Sequence, residues 1–343
     1  MDFHPTEEQA AAAGLAARIF SDLATHERLA ATGTGSDAEL WKALTAAGLT
    51  AAVEEIGLLG LVLLLEEQGR TTAQVPYAAT CVYGILPVAA HASPEQRARL
   101  LPALGSGDAV ATGAFPARGR ITAEGSRLTG IAPTVPWLRD ATHVLVPDAE
   151  RTLWLVRTDA PGVRTSPVET TAPWSAGRLV LSGADAERIG SGGAYEHTLA
   201  AARTAFAGLQ AGVCAGSLAR AVDYTSTREQ FGRPLSTNQG VMLRAADAYM
   251  DTEAIRVTTY EAAWRIDQGL AANEHALTAA WWASEAGKRV VHAGQHLHGG
   301  MGADLDHPVH RHFLWGRQLD AYLGCGSELL AELGASISEG EQA

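Results

Sequence analysis

Residues 227–241 read TREQFGRPLSTNQGV and separate two long helical patterns. The first pattern is rich in Ala and Leu, starts near Leu199, and breaks at Gly232 and Pro234. Glycine lets the backbone approach another molecule closely, and proline fixes the turn. A second helix is predicted to begin near Ser236. The segment therefore predicts a tight corner between two helices of a helical domain.

Arg228 and Gln230 lie at this helix end, beside Phe231, which the sequence suggests as an aromatic packing anchor. A guanidinium group is always charged and presents a rigid fork of donors, which suits a phosphate or a pyrophosphate. Taken alone, such a corner is better explained as an ordinary helix–turn–helix with a solvated arginine. A second segment is needed to favour a binding role.

That second segment, residues 295–302, reads QHLHGGMG and follows another helical pattern. Its glycines remove side chains from a short loop, so several backbone N–H groups can point at one anion. In this order, the two segments resemble the carboxyl-terminal helical domain of the acyl-CoA dehydrogenase family. In that family, an Arg-x-x-Phe-Gly corner and a Gln-x-His-Gly-Gly-x-Gly loop hold FAD. They mostly contact the dinucleotide of an FAD seated in a neighbouring subunit.

The resemblance implies FAD-binding roles for seven residues of this chain. They are Arg228, Gln230, Phe231, Gln239, His296, Gly299 and Gly300. His296 stands where the family usually has Gln, and its ring N–H can still donate to a phosphate or an amide oxygen. For Gln239, the alternative is an exposed glutamine without a ligand.

Helical and β-favouring patterns divide the chain into three parts. Capping signals at Thr6, Ser36 and Ser93 start helices within residues 1–108. Gly, Pro and Asp turns separate short β-favouring runs within residues 109–190, namely 109–115, 127–128, 143–146, 153–157 and 178–181. Long helical patterns return in residues 191–343. We therefore predict a mainly α protein with a small middle β domain, which is also the domain order of acyl-CoA dehydrogenases.

The formal net charge of −12 argues against nucleic-acid and anionic-membrane partners, because neither attracts an acidic surface. The longest apolar run, residues 56–65, is far shorter than a membrane span. The cysteines, Cys81, Cys214 and Cys325, form no Cys-x-x-Cys pair, and the first residues show no basic region before an apolar one. These features predict a cytoplasmic protein.

The base that the family reaction requires is missing from both of its usual positions. The family reaction removes an α proton from an acyl-CoA thioester with a carboxylate, while the β hydride passes to the flavin. That carboxylate needs an apolar pocket, because desolvation raises its pKa. Counting from the family motifs, the two positions fall on Leu323, 25 residues after His298, and on Ala202, 26 residues before Arg228. Neither side chain can accept a proton, so no catalytic residue is predicted.

The β domain also lacks the two ring-binding signatures of the family. Acyl-CoA dehydrogenases usually carry a Thr-Glu-Pro-x-x-Gly-Ser-Asp loop and a Lys-x-Trp-Ile-Thr-like strand around the flavin ring. Residues 112–119 read TGAFPARG instead. Residues 130–137 read GIAPTVPW, with two prolines that interrupt the strand and with Trp137 placed late. The missing features serve a flavin ring held in the same chain, whereas the retained ones serve a dinucleotide held in a neighbour.

This asymmetry predicts a hetero-oligomer in which a longer catalytic acyl-CoA dehydrogenase subunit supplies the ring pocket and the base. The chain resembles the shorter, base-lacking subunit of the α2β2 acyl-CoA dehydrogenases of actinobacterial steroid side-chain degradation. The similarity lies in LHGGMG at 297–302, followed by Asp-x-x-x-Pro-x-His-Arg at 304–311. It implies FAD shared with the partner, a steroid-derived acyl-CoA as substrate of the complex, and an electron-transfer flavoprotein as acceptor.

Other hypotheses remain open from the sequence. The chain could be a complete homo-oligomeric flavoenzyme, either a monooxygenase or a dehydrogenase with a displaced base such as Asp320, almost one helical turn before Leu323. It could also be a non-enzymatic adaptor that kept the fold and lost the cofactor. No metal site is predicted. His292 and His296 have helical spacing, but the paired acid of a His-Glu-x-x-His motif is absent.

Overall fold

The computed structural model describes residues 3–340 and begins with a bundle of helices. These are α1 (Glu7–Leu23), α2 (His26–Thr32), α3 (Ala38–Ala46), α4 (Val53–Thr71), α5 (Tyr77–Thr80), α6 (Leu86–His91) and α7 (Pro94–Ser106), with a π turn, Cys81–Ile85, between α5 and α6. Thr6 and Gln9 form the predicted capping box at the start of α1. Helix α4 bends at Gly57, where the Asp267 carboxylate accepts two backbone N–H groups.

Two four-stranded sheets form the middle of the chain. Their strands are β1 (Ala111–Gly113), β2 (Ile121–Glu124), β3 (Arg127–Val135), β4 (His143–Pro147), β5 (Leu153–Arg157), β6 (Val163–Pro167), β7 (Gly177–Asp185) and β8 (Glu187–Arg188). The strand orders are β1-β4-β5-β8 and β2-β3-β7-β6, and only β1 pairs in parallel, with β4. Apolar side chains of both sheets, among them Leu128, Val144 and Leu179, form one buried cluster. The sequence patterns missed β2, β6 and β8, because most of their side chains are exposed.

The rest of the described chain is mostly helical. It contains α8 (Ala194–Thr227), α9 (Gln239–Asp267), α10 (Asn273–Leu297), α11 (Val309–Leu319) and α12 (Gly326–Gly340), with a hairpin of β9 (Glu229–Gln230) and β10 (Arg233–Pro234) between α8 and α9. The sequence predicts a helix from about Ser236, whereas Leu235–Thr237 forms a 3₁₀ turn and α9 starts at Gln239. The predicted mainly α fold with a small middle β domain is confirmed.

Helix α8 is the central helix of the fold. Within residues 3–340 it is the one helix that could cross a membrane by length and composition, but 78% of its most apolar window is buried inside the protein. Glycines let α4 lie directly against it. A Cβ added at Gly212 would lie 2.0 Å from the Glu66 carbonyl oxygen, and one at Gly69 would lie 2.2 Å from that of Leu209. The backbones of α4 and α8 therefore touch.

Helix α11 is fastened to this helix pair by a buried histidine. The Nε2–H of His312 donates to the Arg70 carbonyl at the end of α4 (2.9 Å), and Nδ1 lies 3.4 Å from the Pro308 carbonyl. A Cβ on Gly216 of α8 would lie 2.5 Å from His312 Nε2, so glycine makes room for the ring. Burial disfavours the imidazolium and lowers the pKa of His312 to about 4. This contact positions the loop between α10 and α11.

The first prediction concerns the contact between α4 and α8. We expect Gly212→Ala to lower the free energy of unfolding by about 1–3 kcal/mol, because the new methyl group would overlap the Glu66 carbonyl. Gly14→Ala, inside α1 with no atom within 4 Å of the new Cβ, is the matched control. It should stabilise the chain by about 0.5–1 kcal/mol through helix propensity. Urea unfolding followed by circular dichroism measures both, and equal midpoints would contradict the close approach.

The second prediction concerns His312 and pH. Its pKa is lowered from 6.5 to about 4, so between these values the unfolded chain binds a proton that the folded chain does not. The free energy of unfolding therefore falls as pH drops through this window. Between pH 7 and pH 4.5, we expect the free energy of unfolding to fall by about 2–3 kcal/mol less in His312→Gln than in the wild type. His292→Gln, at an exposed position, should leave the loss unchanged.

Candidate cofactor half-site

The corner predicted between two helices is a β-hairpin at the end of α8. The Arg228 N–H donates to the Tyr224 carbonyl (2.8 Å) and closes the helix. Phe231 and Gly232 then form the turn, both with positive φ (+55° and +73°), as a two-residue hairpin loop requires. Phe231 is 100% exposed, so its prediction as a packing anchor within this chain is wrong. The turn projects the ring from the tip of the hairpin, away from the helices.

Two arginines of the hairpin segment carry free charges. Among residues 3–340, neither the Arg228 nor the Arg233 side chain has a hydrogen-bond or ion-pair partner, and both are exposed. Gln230 is exposed as well. The hairpin therefore presents unpaired donors and an uncovered aromatic ring to whatever lies outside this chain.

The glycine-rich loop forms a 3₁₀ turn, Gly299–Ala303, directly after α10. Gly302 is packed: its added Cβ would lie 2.1 Å from the Gln295 carbonyl oxygen, and the Gln295 side chain donates to the Gly302 carbonyl (3.0 Å). Gly299 has a positive φ (+61°), which favours glycine. Gly300 is different, because it has no positive φ and no atom within 4 Å of an added Cβ. Nothing within residues 3–340 therefore requires glycine at position 300.

One tyrosine joins the hairpin to this loop. The Tyr224 ring, in the last turn of α8, stacks on His298 with the centroids 4.9 Å apart, and its hydroxyl donates to Met301 Sδ (3.8 Å). His298 is buried and its Nδ1–H donates to the Gly294 carbonyl (2.7 Å). The two segments, distant in sequence, therefore form one surface. Tyr224 was not among the residues predicted from the sequence, although its position four residues before Arg228, one helical turn away, was an available signal.

The remaining predicted residues border the same surface. His296 Nδ1 accepts from Arg244 Nη1 (3.0 Å), so a neutral His296 carries its proton on the exposed Nε2. Gln239 is the exposed first residue of α9, whose amino end carries the partial positive charge of the helix dipole. Arg244 gave no signal in the sequence, because its pairing with His296 crosses between two helices. This surface, called the half-site below, is suited to an anionic ligand.

Two family models match the helical parts of the chain. They are Acyl-CoA dehydrogenase, N-terminal domain, over residues 6–108, and Acyl-CoA dehydrogenase, C-terminal domain, over residues 191–336. This chain belongs to the acyl-CoA dehydrogenase family. Members of this family are flavoprotein oxidoreductases that generally use FAD.

Relatives match this chain over almost its whole length. Acyl-CoA dehydrogenase FadE27 of Mycobacterium tuberculosis is 36% identical over 373 residues, covering 99% of each protein. A variant of the steroid ACAD Tcur3481–Tcur3483 matches with a TM-score of 0.93 and 41% identity over 98% of this chain and 99% of that chain. The ChsE4–ChsE5 complex from Mycobacterium tuberculosis matches with a TM-score of 0.94 and 33% identity over 99% of each chain.

The two positions at which the family carries its base are buried. Ala202 lies in α8 with no exposed surface, and Leu323 lies just after α11 and borders a cleft beside the first half of α8. Each carboxylate that lines this cleft already has a partner. Glu196 pairs with Arg151 (3.6 Å), Glu328 accepts the Cys325 N–H, and Glu332 pairs with Arg203. None of these three carboxylates occupies an apolar pocket suited to a base.

The segments without ring-binding signatures border a second cleft of about 510 Å³ between the β domain and α11. Strand β3 runs through Pro133 to Val135, but its pairing with β7 is irregular between Ala132 and Val135, where Pro133 lies. Trp137 is fully buried and stacks on Trp174, with the centroids 4.3 Å apart. Trp137 is therefore part of the core and is not presented to this cleft. The sequence gave no signal for Trp174, which lines it.

Asp320 faces away from both clefts. It is 7% exposed and lies 2.9 Å from the Arg317 guanidinium, while its backbone carbonyl accepts from the Ser284 hydroxyl (2.7 Å). Burial raises the pKa of the Asp320 carboxyl. Although Tyr322 and Leu323 line the clefts, Asp320 does not. Within the described chain, no three His, Cys, Asp or Glu side chains are placed to hold a metal ion.

The third prediction tests Asp320 as a displaced base. We expect Asp320→Asn to leave acyl-CoA oxidation by the assembled enzyme within about twofold of the wild type, because its carboxylate lies outside the clefts. Loss of a true general base costs about 10²-fold or more. Dye-coupled acyl-CoA oxidation by the purified complex measures this, with Asp306→Asn on the exposed loop as control. A hundredfold loss at normal FAD content would make Asp320 the base.

Proposed function

We propose that this chain is the base-lacking subunit of a heteromeric FAD-dependent acyl-CoA dehydrogenase and that its half-site completes the FAD site of a longer, catalytic subunit. The observation that carries the proposal is the state of the seven predicted residues. All of them are solvent-exposed and face away from this chain's own core. They are Arg228, Gln230, Phe231, Gln239, His296, Gly299 and Gly300. Exposed residues of this kind can contact a ligand held by another chain.

Gly300 is the most specific of these residues. Its backbone conformation and its surroundings would accept an alanine, so the packing of the described chain does not explain the glycine. A ligand lying against the backbone at this point explains it, because a Cβ would come between the ligand and the N–H groups. The Arg228 guanidinium and the Nε2–H of His296 supply further donors to a pyrophosphate. These groups fit the dinucleotide part of FAD.

The surface next to the half-site supports a protein partner. Helix α9 exposes large apolar side chains along its outer face, namely Met242, Leu243, Tyr249, Met250 and Val257, each more than half exposed. Met301 of the glycine-rich loop and Leu305 after it are exposed as well. Monomeric proteins rarely expose large contiguous apolar surfaces, which instead mark interfaces. We propose that the catalytic subunit covers this surface, with two copies of each chain in the complex.

The proposed roles of this chain and of the catalytic subunit follow from the residues that this chain provides and from those that it lacks. When bound, FAD accepts the hydride that leaves the β carbon of the acyl-CoA. This chain's residues bind the anionic end of the cofactor, orient it through the exposed Phe231 and Gln239, and exclude water from it. The proton at the α carbon must be taken by a carboxylate of the partner, because Ala202 and Leu323 occupy both family positions here.

The relatives support the assembly and the substrate class. The matched structures include the ChsE4–ChsE5 complex and a steroid ACAD named for two chains. We therefore propose a steroid side-chain-derived acyl-CoA as substrate of the complex and an electron-transfer flavoprotein as acceptor. We also propose a cytoplasmic location, in keeping with three cysteines that form no disulfide.

The fourth prediction is tested by co-expressing this chain with a longer acyl-CoA dehydrogenase-like chain. We expect a stable complex that contains FAD and oxidises acyl-CoA, whereas this chain alone binds no FAD. Gly300→Ala should leave the chain's own urea unfolding unchanged but weaken FAD retention by the complex about tenfold or more, since a tenfold change corresponds to about 1.4 kcal/mol. FAD absorbance per complex and gel filtration are the measurements.

Gly302→Ala is the matched comparison, because its Cβ would overlap the Gln295 carbonyl and should destabilise the chain itself. If this chain alone bound one FAD and oxidised acyl-CoA, the heteromeric proposal would be wrong and a self-sufficient flavoenzyme would replace it. A colourless complex would indicate the non-enzymatic adaptor. Incorporation of oxygen into the product would indicate a monooxygenase.

A further inference from the structure

The cleft beside the first half of α8, which Leu323 borders, lies at the opposite end of this helix from the half-site. It has a volume of about 900 Å³ and is bounded by the first half of α8, the connection between α9 and α10, the terminal helix α12, and the β-domain loop around Arg118. One wall is apolar and consists of Leu199, Ala200, Ile266, Leu270, Leu323 and Leu329. Arg203 lies in α8 and Arg228 directly follows this helix, 25 residues later, which places the cleft about 37 Å from the hairpin.

The deepest polar group of this cleft is a buried arginine. The Arg203 side chain is 5% exposed, and its Nη1 and Nη2 donate to the two carboxylate oxygens of Glu332 at 2.8 and 2.6 Å. Its Nε is buried and has no hydrogen-bond partner within residues 3–340. A buried charge is costly unless it is paired, so the Arg203 guanidinium requires an anionic partner in this cleft.

The present partner of this arginine is partly exposed to water. Glu332 lies on α12, the last described helix, and its side chain is 47% exposed. The Glu332 carboxylate can therefore rotate towards the solvent when another anion takes its place, and there it is fully hydrated. Glu332 accepts two parallel hydrogen bonds from Arg203, so the guanidinium in this position is well placed to bind a carboxylate.

The surroundings of Arg203 favour a monoanion with an apolar body. Three acidic residues, Glu196, Glu328 and Glu332, balance the three arginines that line the same cleft, so it has no excess positive charge for a phosphate dianion. Tyr195 is held by the Ala117 N–H, which donates to its hydroxyl (3.1 Å), and Arg151 lies over its ring. The cleft therefore has an aromatic and arginine-lined rim, an apolar wall, and one buried guanidinium.

We infer that this cleft binds an amphipathic carboxylic acid as a ligand that the chain does not transform. The carboxylate displaces Glu332 from Arg203, and the apolar body lies along the wall formed by α8, α12 and the connection between α9 and α10. The ligand is the free acid and not its thioester, because a neutral carbonyl cannot replace a carboxylate on a buried guanidinium. This inference does not depend on the proposed FAD half-site.

The experiment uses dansyl-undecanoic acid as a fluorescent probe on the full chain, alone and in its complex. Decanoate, methyl decanoate and decanol serve as competitors. We expect saturable probe binding that decanoate reverses, with the ester and the alcohol about tenfold weaker, since charge-assisted hydrogen bonds contribute about 1.5–3 kcal/mol. Equal competition by all three compounds would overturn the inference, because it would indicate unspecific apolar binding. Absence of saturable probe binding would overturn it as well.

Substitutions in the Arg203–Glu332 ion pair should have opposite effects on decanoate binding. Arg203→Met should weaken decanoate binding about tenfold or more, whereas Glu332→Gln should tighten it several-fold by removing the internal competitor. Glu328→Gln is the matched control, because it removes the same charge from the same cleft without touching Arg203. Equal tightening by Glu332→Gln and Glu328→Gln would overturn the inference. If Arg203→Met does not fold, the two glutamine variants still decide the question.

Discussion

The direct contact between the backbones of α4 and α8 is the constraint on which the rest of the structure depends. Gly69 and Gly212 leave less than a methyl group of space between the two helices. Helix α4 belongs to the amino-terminal bundle and α8 to the carboxyl-terminal one, so this contact joins the two helical parts into one core. Dense packing of this kind fixes both the depth and the rotation of α8, because interiors tolerate little change in volume.

The fixed position of α8 has consequences at both of its ends. Its residues up to Ser217 are nearly all buried, whereas most of its last turns are exposed. The helix therefore leaves the core just before Tyr224, which carries the stacked His298 and the hairpin with Arg228. At the other end, Arg203 stays buried beneath an apolar cleft. A single rigid helix thus holds an exposed set of donors at one end and an enclosed cation at the other.

Polar contacts complete the joining of the three parts of the chain. The buried Gln74 amide nitrogen lies 2.7 Å from the carbonyl oxygens of Gly33 and Gly35 and 2.5 Å from that of Pro173 in the β domain. Its oxygen accepts from the Arg311 guanidinium of α11 (2.7 Å). Burial lowers the pKa of Arg311 to about 10, because withdrawal from water disfavours the charged form. One glutamine side chain thus links the amino-terminal helices, the β domain and α11.

The sequence by itself determined the fold class, the family motifs and the identities of the residues at the two base positions, because these are local patterns and residue identities. Tertiary structure alone decided what surrounds each residue. Phe231 is uncovered because the hairpin turn projects it outward, and Asp320 lies outside the clefts, where it contacts Arg317 and Ser284. Arg203 meets Glu332, 129 residues away, because α12 packs on α10, which in turn packs on α8. Such pairings depend on how helices pack across the core, and no spacing within one helix encodes them.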